Sequence, residues 1–141
     1  MSVKINKNPN NILTLEELNK WNGIPTTVIS DAMDRTNGMD GNIKAIAPPM
    51  PFVGQALTVD PLERSNTALH YALEAAWPTC VMVVNAHANM ASAFWGGVSI
   101  QAAKSRGIAA IVIDGCARDI NMLLASGVPI YCRGIAPNGP N

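Results

Sequence analysis

At 141 residues, with ten basic and ten acidic side chains, the chain has one domain's worth of core to bury and no net charge to offer a polyanion. Its basic residues are scattered from Lys4 to Arg133, so no nucleic-acid-binding stripe is indicated. No run approaches the ~18 apolar residues of a membrane span and the polar start "MSVKINKNPNN" leads into no signal-peptide core, so a cytoplasmic protein without a membrane partner is expected.

The whole chain, 1–141, reads as a single domain whose first residues, 1–13, are flexible. "TLEELNKW" then opens with Thr14 and carries Glu17 three residues on, a capping box that starts a short helix. A second helix, "PTTVISDAMDR", begins with Pro25 in its first turn and stops before Gly38. The proline-rich "AIAPPMPF" suits neither regular form and is an extended connection to a strand, "VGQALTVD", at 53–60. Behind Ser65 as N-cap, "SNTALHYALEAA" has its apolar residues at helical spacing.

"CVMVVN" at 80–85 is short and almost wholly apolar, as expected of a strand covered on both faces. Two more units follow: helix "GVSIQAAKSRG" with strand "AAIVI", then helix "RDINMLLASG" closed by Gly127 with strand "VPIYC". Repeated strand-helix-strand units imply an α/β fold, a largely parallel sheet with helices on its faces. Cys80, Cys116 and Cys132, odd in number and without C-x-x-C spacing, read as buried thiols, with a free reactive cysteine as the alternative.

In such folds chemistry gathers where strands end and helices begin. Two loops qualify, "NAHANMASAFWGG" at 85–97 and "DGCARD" at 114–119. In the second, Asp119 could cap the next helix while Arg118 pairs with Asp114 or faces solvent. Equally, Arg118 could fork a small carboxylate while Asp119 holds a hard divalent cation. In the first, Gly96 and Gly97 precede a helix, so the amides of Val98 and Ser99 could cradle an anion, or the glycines could simply make a tight turn. Among other residues, His87 is either solvated or an acid-base or metal group, Trp95 either core or pocket wall, and Lys104 a solvent-facing helix residue. Asn66 is a possible cleft contact.

The segments "TTVISDAMDR", "FVGQALTV", "AFWGGVSIQAAKSRGIAAIVIDGCARD" and "GVPIYCRG" resemble, in order and spacing, the RraA-like family. This family includes 4-hydroxy-4-methyl-2-oxoglutarate and 4-carboxy-4-hydroxy-2-oxoadipate aldolases and the regulators of ribonuclease E. The resemblance implies a swivelling β/β/α domain with N-terminal helices, assembled as a homotrimer or hexamer with sites between subunits. It implies a class II aldolase that takes a 2-keto acid substrate, uses Mg²⁺ or Mn²⁺, releases pyruvate and decarboxylates oxaloacetate. A regulator bound to a protein partner such as ribonuclease E is the other expectation.

By the same resemblance Arg118 contacts the pyruvyl moiety and its developing enolate, Asp119 ligates the metal, and the amides of Val98 and Ser99, behind Gly96 and Gly97, receive the pyruvyl carboxylate. Two departures stand out. Gly97 replaces an acid that the aldolases keep twenty-one positions before the arginine, with Asp114, Asn85 and His87 as candidate substitutes. The chain also stops where relatives continue, so the C-terminal part of the family domain is expected to be absent.

Overall fold

A computed structural model describes residues 3–6, 11–61 and 65–140. Much of the stretch expected to be flexible, residues 1, 2 and 7–10, lies outside the described residues. Helix α1 (Leu15–Asn19) is fixed by the expected capping box: the Thr14 hydroxyl accepts from the Glu17 amide while the Glu17 carboxylate accepts from the Thr14 amide. Helix α2 (Thr26–Ala32) starts one residue later than expected, with Pro25 extended as its N-cap, and ends sooner, because Asp34 and Arg35 both turn into the left-handed region. The connection that follows holds only a two-residue strand, β1 (Lys44–Ala45).

Strand β2 (Ala56–Val59) leads to helix α3 (Thr67–Ala75), whose N-cap position is Asn66 rather than Ser65. The Ser65 hydroxyl nevertheless accepts from the Thr67 amide, so the capping chemistry is shifted by one residue. Then come strand β3 (Val81–Trp95), helix α4 (Gly97–Ser105), strand β4 (Ala110–Ala117), helix α5 (Ile120–Ser126) and strand β5 (Ile130–Ile135). Gly127 closes α5 in the left-handed conformation (φ 74°) that glycine adopts without a Cβ clash.

The sheet runs in the order β1-β5-β4-β3-β2, parallel throughout except for the antiparallel β1–β5 pair. From β2 to β5 each strand is laid down beside its predecessor in the same direction. Right-handed crossovers then place every connecting helix on the same side. Side chains bear this out: Met82, Val84, Ile111, Ile113 and Ile130 bury against Leu69 and Leu73 of α3, Ile100 of α4 and Leu123 of α5. The expectation of helices on both faces is therefore corrected. The other face carries the alternate residues Val81, Ala110 and Val112, packed against Ile43, Phe52 and Tyr131, where the Phe52 and Tyr131 rings meet edge-on at 5.6 Å.

Both expected loops also prove shorter. Strand β4 continues through Asp114, Gly115 and Cys116 to Ala117, leaving only Arg118 and Asp119 before α5. Strand β3 reaches Trp95, but its ladder with β4 slips three times between Val84 and Trp95, and His87 and Ala88 both have positive φ. The segment is a bulged strand rather than a free loop.

Candidate active site

Arg118 and Asp119 stand at the carboxyl end of β4, beside the start of α4. The Arg118 amide donates to the Trp95 carbonyl at 2.9 Å, which ties the two chain segments together. Asp119 occupies the N-cap position of α5 with left-handed backbone angles (φ 59°, ψ 42°), which aspartate tolerates better than most residues. Its side chain makes no capping bond to its own helix. Instead its Oδ2 accepts a hydrogen bond from the Gly97 amide at 2.8 Å, so it caps α4. Arg118 Nε lies 3.8 Å from the same oxygen, and both side chains are nearly half exposed.

Gly96 is required by this packing. A Cβ there would lie 2.7 Å from Asp119 Oδ2 and 3.1 Å from Arg118 Cγ. The structure thus brings Gly96, Gly97, Arg118 and Asp119 into one corner. Val98 and Ser99 form the next positions of the same first turn, where amides have no acceptor within the helix. On the far side a Cβ on Gly139 would come within 3.0 Å of Arg118 Nη1.

Asp114, Asn85 and His87, the candidate substitutes for the family acid, are engaged elsewhere. Asp114 lies two residues after Val112, on the helix-free face, where Arg133 binds it as well as Asp40. This is why Arg118 does not pair with Asp114. Asp60 binds His87 Nε2 at 2.7 Å and Asn85 Nδ2 at 3.3 Å. A cavity of about 1030 Å³ beside β2 is lined by Asp60, Asn85, Asp114 and Arg133 but includes neither Arg118 nor Asp119. Within it Arg133 is bound to Asp114 and Asp40.

Trp95 is core, 1 % exposed, and Lys104 is exposed on the last turn of α4. The Oδ1 of Asn66 and the Nε1 of Trp95 are buried without a hydrogen-bond partner among the described residues. Cys80, Cys116 and Cys132 are buried free thiols, and burial pushes all three thiol pKa values up, so the reading as inert core residues holds.

Among the described residues no three His, Cys, Asp or Glu side chains gather about one point. What the corner can offer a cation is the Asp119 carboxylate. That donor set fits Mg²⁺, which takes one or two carboxylates and keeps much of its water, and does not fit a zinc site with three or four protein ligands.

Sequence comparison agrees with the fold. Residues 26–141 match the model of the RraA-like family, described as Aldolase/RraA, and the chain belongs to that family. A Halalkalibacterium halodurans protein provisionally named a 4-hydroxy-4-methyl-2-oxoglutarate aldolase is 36% identical over 120 residues, covering 85% of this chain and 57% of its own length. The chain thus spans just over half of that relative. Among solved structures, Streptomyces coelicolor RraAS2, described as an unusual member of the RNase ES inhibitor RraA family, superposes with a TM-score of 0.79 at 26% identity, over 89% of this chain and 67% of its own. The Thermus RNA-processing inhibitor RraA superposes at 0.74 and 21% identity, over 83% of this chain and 71% of its own, a likeness of fold. No helix of the described residues is long and apolar enough to cross a membrane.

Proposed function

We propose that the chain is a divalent-metal-dependent carbon–carbon lyase that cleaves 2-keto acids of the 4-hydroxy-4-methyl-2-oxoglutarate type to pyruvate and decarboxylates oxaloacetate. The observation that carries this reading is the pairing of Arg118 with an Asp119 whose carboxylate is fixed by the Gly97 amide at 2.8 Å. The name given to the Halalkalibacterium halodurans relative supports the substrate class.

The amides of Val98 and Ser99 receive the carboxylate of the keto acid, at the positive end of α4. Arg118 binds the pyruvyl oxygens and stabilises the negative charge that grows on them as the C3–C4 bond breaks. Oxaloacetate loses carbon dioxide with the same charge developing, so the same guanidinium serves both reactions. Asp119 would hold Mg²⁺ or Mn²⁺, which when bound supplies Lewis-acid polarisation of the keto group. Position 97 offers no carboxylate, so a base from solvent takes the 4-hydroxyl proton as C4 becomes a carbonyl, and the enolate left by the C3–C4 electron pair takes a proton from solvent to give pyruvate.

The reading includes a homotrimer or hexamer with sites between subunits. Helix α2 buries none of its residues, and Trp21, Ile24 and Val28 are exposed, which supports contact with other copies. A regulator that binds a partner such as ribonuclease E is the second reading, favoured by Gly97 and by the likeness to RraAS2. Pyruvate release from 4-hydroxy-4-methyl-2-oxoglutarate and from oxaloacetate, with Mg²⁺, Mn²⁺ or chelator, decides between them. Metal-dependent release supports the lyase, and no release from a folded oligomer supports the regulator.

A further inference from the structure

Among the described residues the ion-pair partner of Arg118 is Asp119, whose Oδ2 lies 3.8 Å from Nε, too far for a hydrogen bond. A guanidinium on a long flexible stem needs more than that to hold its direction. The stretch after β5 supplies a second contact. The Ala136 amide donates to the Ala117 carbonyl at 3.1 Å and the Ala93 amide donates to the Asn138 carbonyl at 2.7 Å, so residues 136–138 are pinned to both β4 and β3. Ala136 also packs with Ala93 and Cys116 in a small buried cluster of their own. The next residue, Gly139, then meets Arg118. A Cβ there would lie 3.0 Å from Nη1, 3.4 Å from Cζ and 3.6 Å from Nη2. With both Nη atoms at those distances, a point at the Nη edge of the guanidinium plane would lie farther from Cζ, so Gly139 lies over the face of the group. The Arg118 side chain nevertheless remains 44% exposed.

We infer that Gly139 is a positioning residue for Arg118: its backbone, pinned through Asn138, lies against one face of the guanidinium and sets the direction of the N–H groups that bind the keto acid. The inference deepens the lyase reading and rests on it for what Arg118 binds. Glycine is needed because a methyl group at position 139 would push the guanidinium aside by a few tenths of an ångström. A guanidinium binds oxyanions through a planar fork, so its direction matters, and a swing of that size lowers the rate without disturbing the fold.

The test combines a double-substitution cycle with a direct measurement on the guanidinium. Pyruvate release from 4-hydroxy-4-methyl-2-oxoglutarate in Mg²⁺ is followed for the unaltered chain, Gly139→Ala, Arg118→Lys and the pair together, beside thermal midpoints and the NMR order parameter of the Arg118 Nε–H group. Gly139→Ala is expected to lower kcat/KM about tenfold, to keep the midpoint within about 2 °C and to lower the order parameter. In the Arg118→Lys background no guanidinium face lies against position 139, and the same substitution should cost less than about twofold. An equal loss in both backgrounds, an unchanged kcat/KM or a midpoint lowered by more than that overturns the inference. If the unaltered chain releases no pyruvate, the lyase reading fails and the order parameter alone decides: a fall in Gly139→Ala keeps the positioning role, and an unchanged value removes it.

Discussion

The carboxylate of Asp119 caps a helix to which it does not belong, accepting the Gly97 amide across a sequence separation of 22 residues. One side chain thereby fixes the start of α4, stands against Arg118 and presents a carboxylate to the corner. Its structural and chemical duties can be separated by substitution.

Asp119→Ala removes the acceptor and is expected to cost about 1 kcal/mol, or about 4 °C in thermal midpoint. Asp119→Asn keeps an acceptor oxygen but not the charge. It is expected to restore most of that midpoint in calorimetry while leaving metal-dependent pyruvate release as low as in Asp119→Ala.

Gly96 and Gly97 should differ. The methyl of Gly96→Ala would strike Asp119 Oδ2 and Arg118 Cγ, whereas that of Gly97→Ala meets only the mobile end of Met122 at under 3 Å. Pyruvate-release kinetics should show a loss of at least about tenfold in kcat/KM for Gly96→Ala, about 1.4 kcal/mol of transition-state stabilisation, and a much smaller loss for Gly97→Ala.

In the core, Ile111→Ala empties a fully buried position under the crossover helices and should destabilise by about 3 kcal/mol in denaturant titration. Val98→Ala, at an exposed position, should stay within about 0.5 kcal/mol. The contrast checks that α3, α4 and α5 share one face of the sheet.

Acid should loosen two contacts outside the core. The Asn42 amide, then Arg133, holds the Asp40 carboxyl below its ordinary pKa, and the Thr14 amide and hydroxyl do the same for Glu17. Both groups have folded-state values below their unfolded ones, so their stabilisation is present above the unfolded value, about 4, and is lost as pH falls through the folded values. Carboxyl NMR titration should place each midpoint below the ordinary value for its residue type, and Arg133→Ala should raise that of Asp40 but not that of Glu17.

The sequence made much of this legible through local chemistry. The Thr14–Glu17 box, the stop at Gly127 and the apolar run at 80–85 depend on near neighbours. The corner itself was legible because Gly96–Gly97 and Arg118–Asp119 each sit at a strand-to-helix junction of adjacent parallel strands. What local reading missed depends on strand order or distant partners. Helices on one face follow from the one-directional order of β2 to β5, and Asp114 finds Arg133 across 19 residues. The slipped ladder of β3 has no local marker, since His87 and Ala88 are not glycines yet have positive φ. Gly139 has no local marker either, since its place against Arg118 depends on the bond of the Ala93 amide to the Asn138 carbonyl.

Pyruvate release from 4-hydroxy-4-methyl-2-oxoglutarate in Mg²⁺, measured for the unaltered chain, Asp119→Asn and Arg118→Ala, each with and without chelator, tests the proposed lyase most directly. A metal-dependent lyase at the Arg118–Asp119 corner should show release by the unaltered chain that chelator abolishes and that both substitutions reduce by at least about a hundredfold. Release that survives chelator, or that Asp119→Asn and Arg118→Ala leave unchanged, would contradict it.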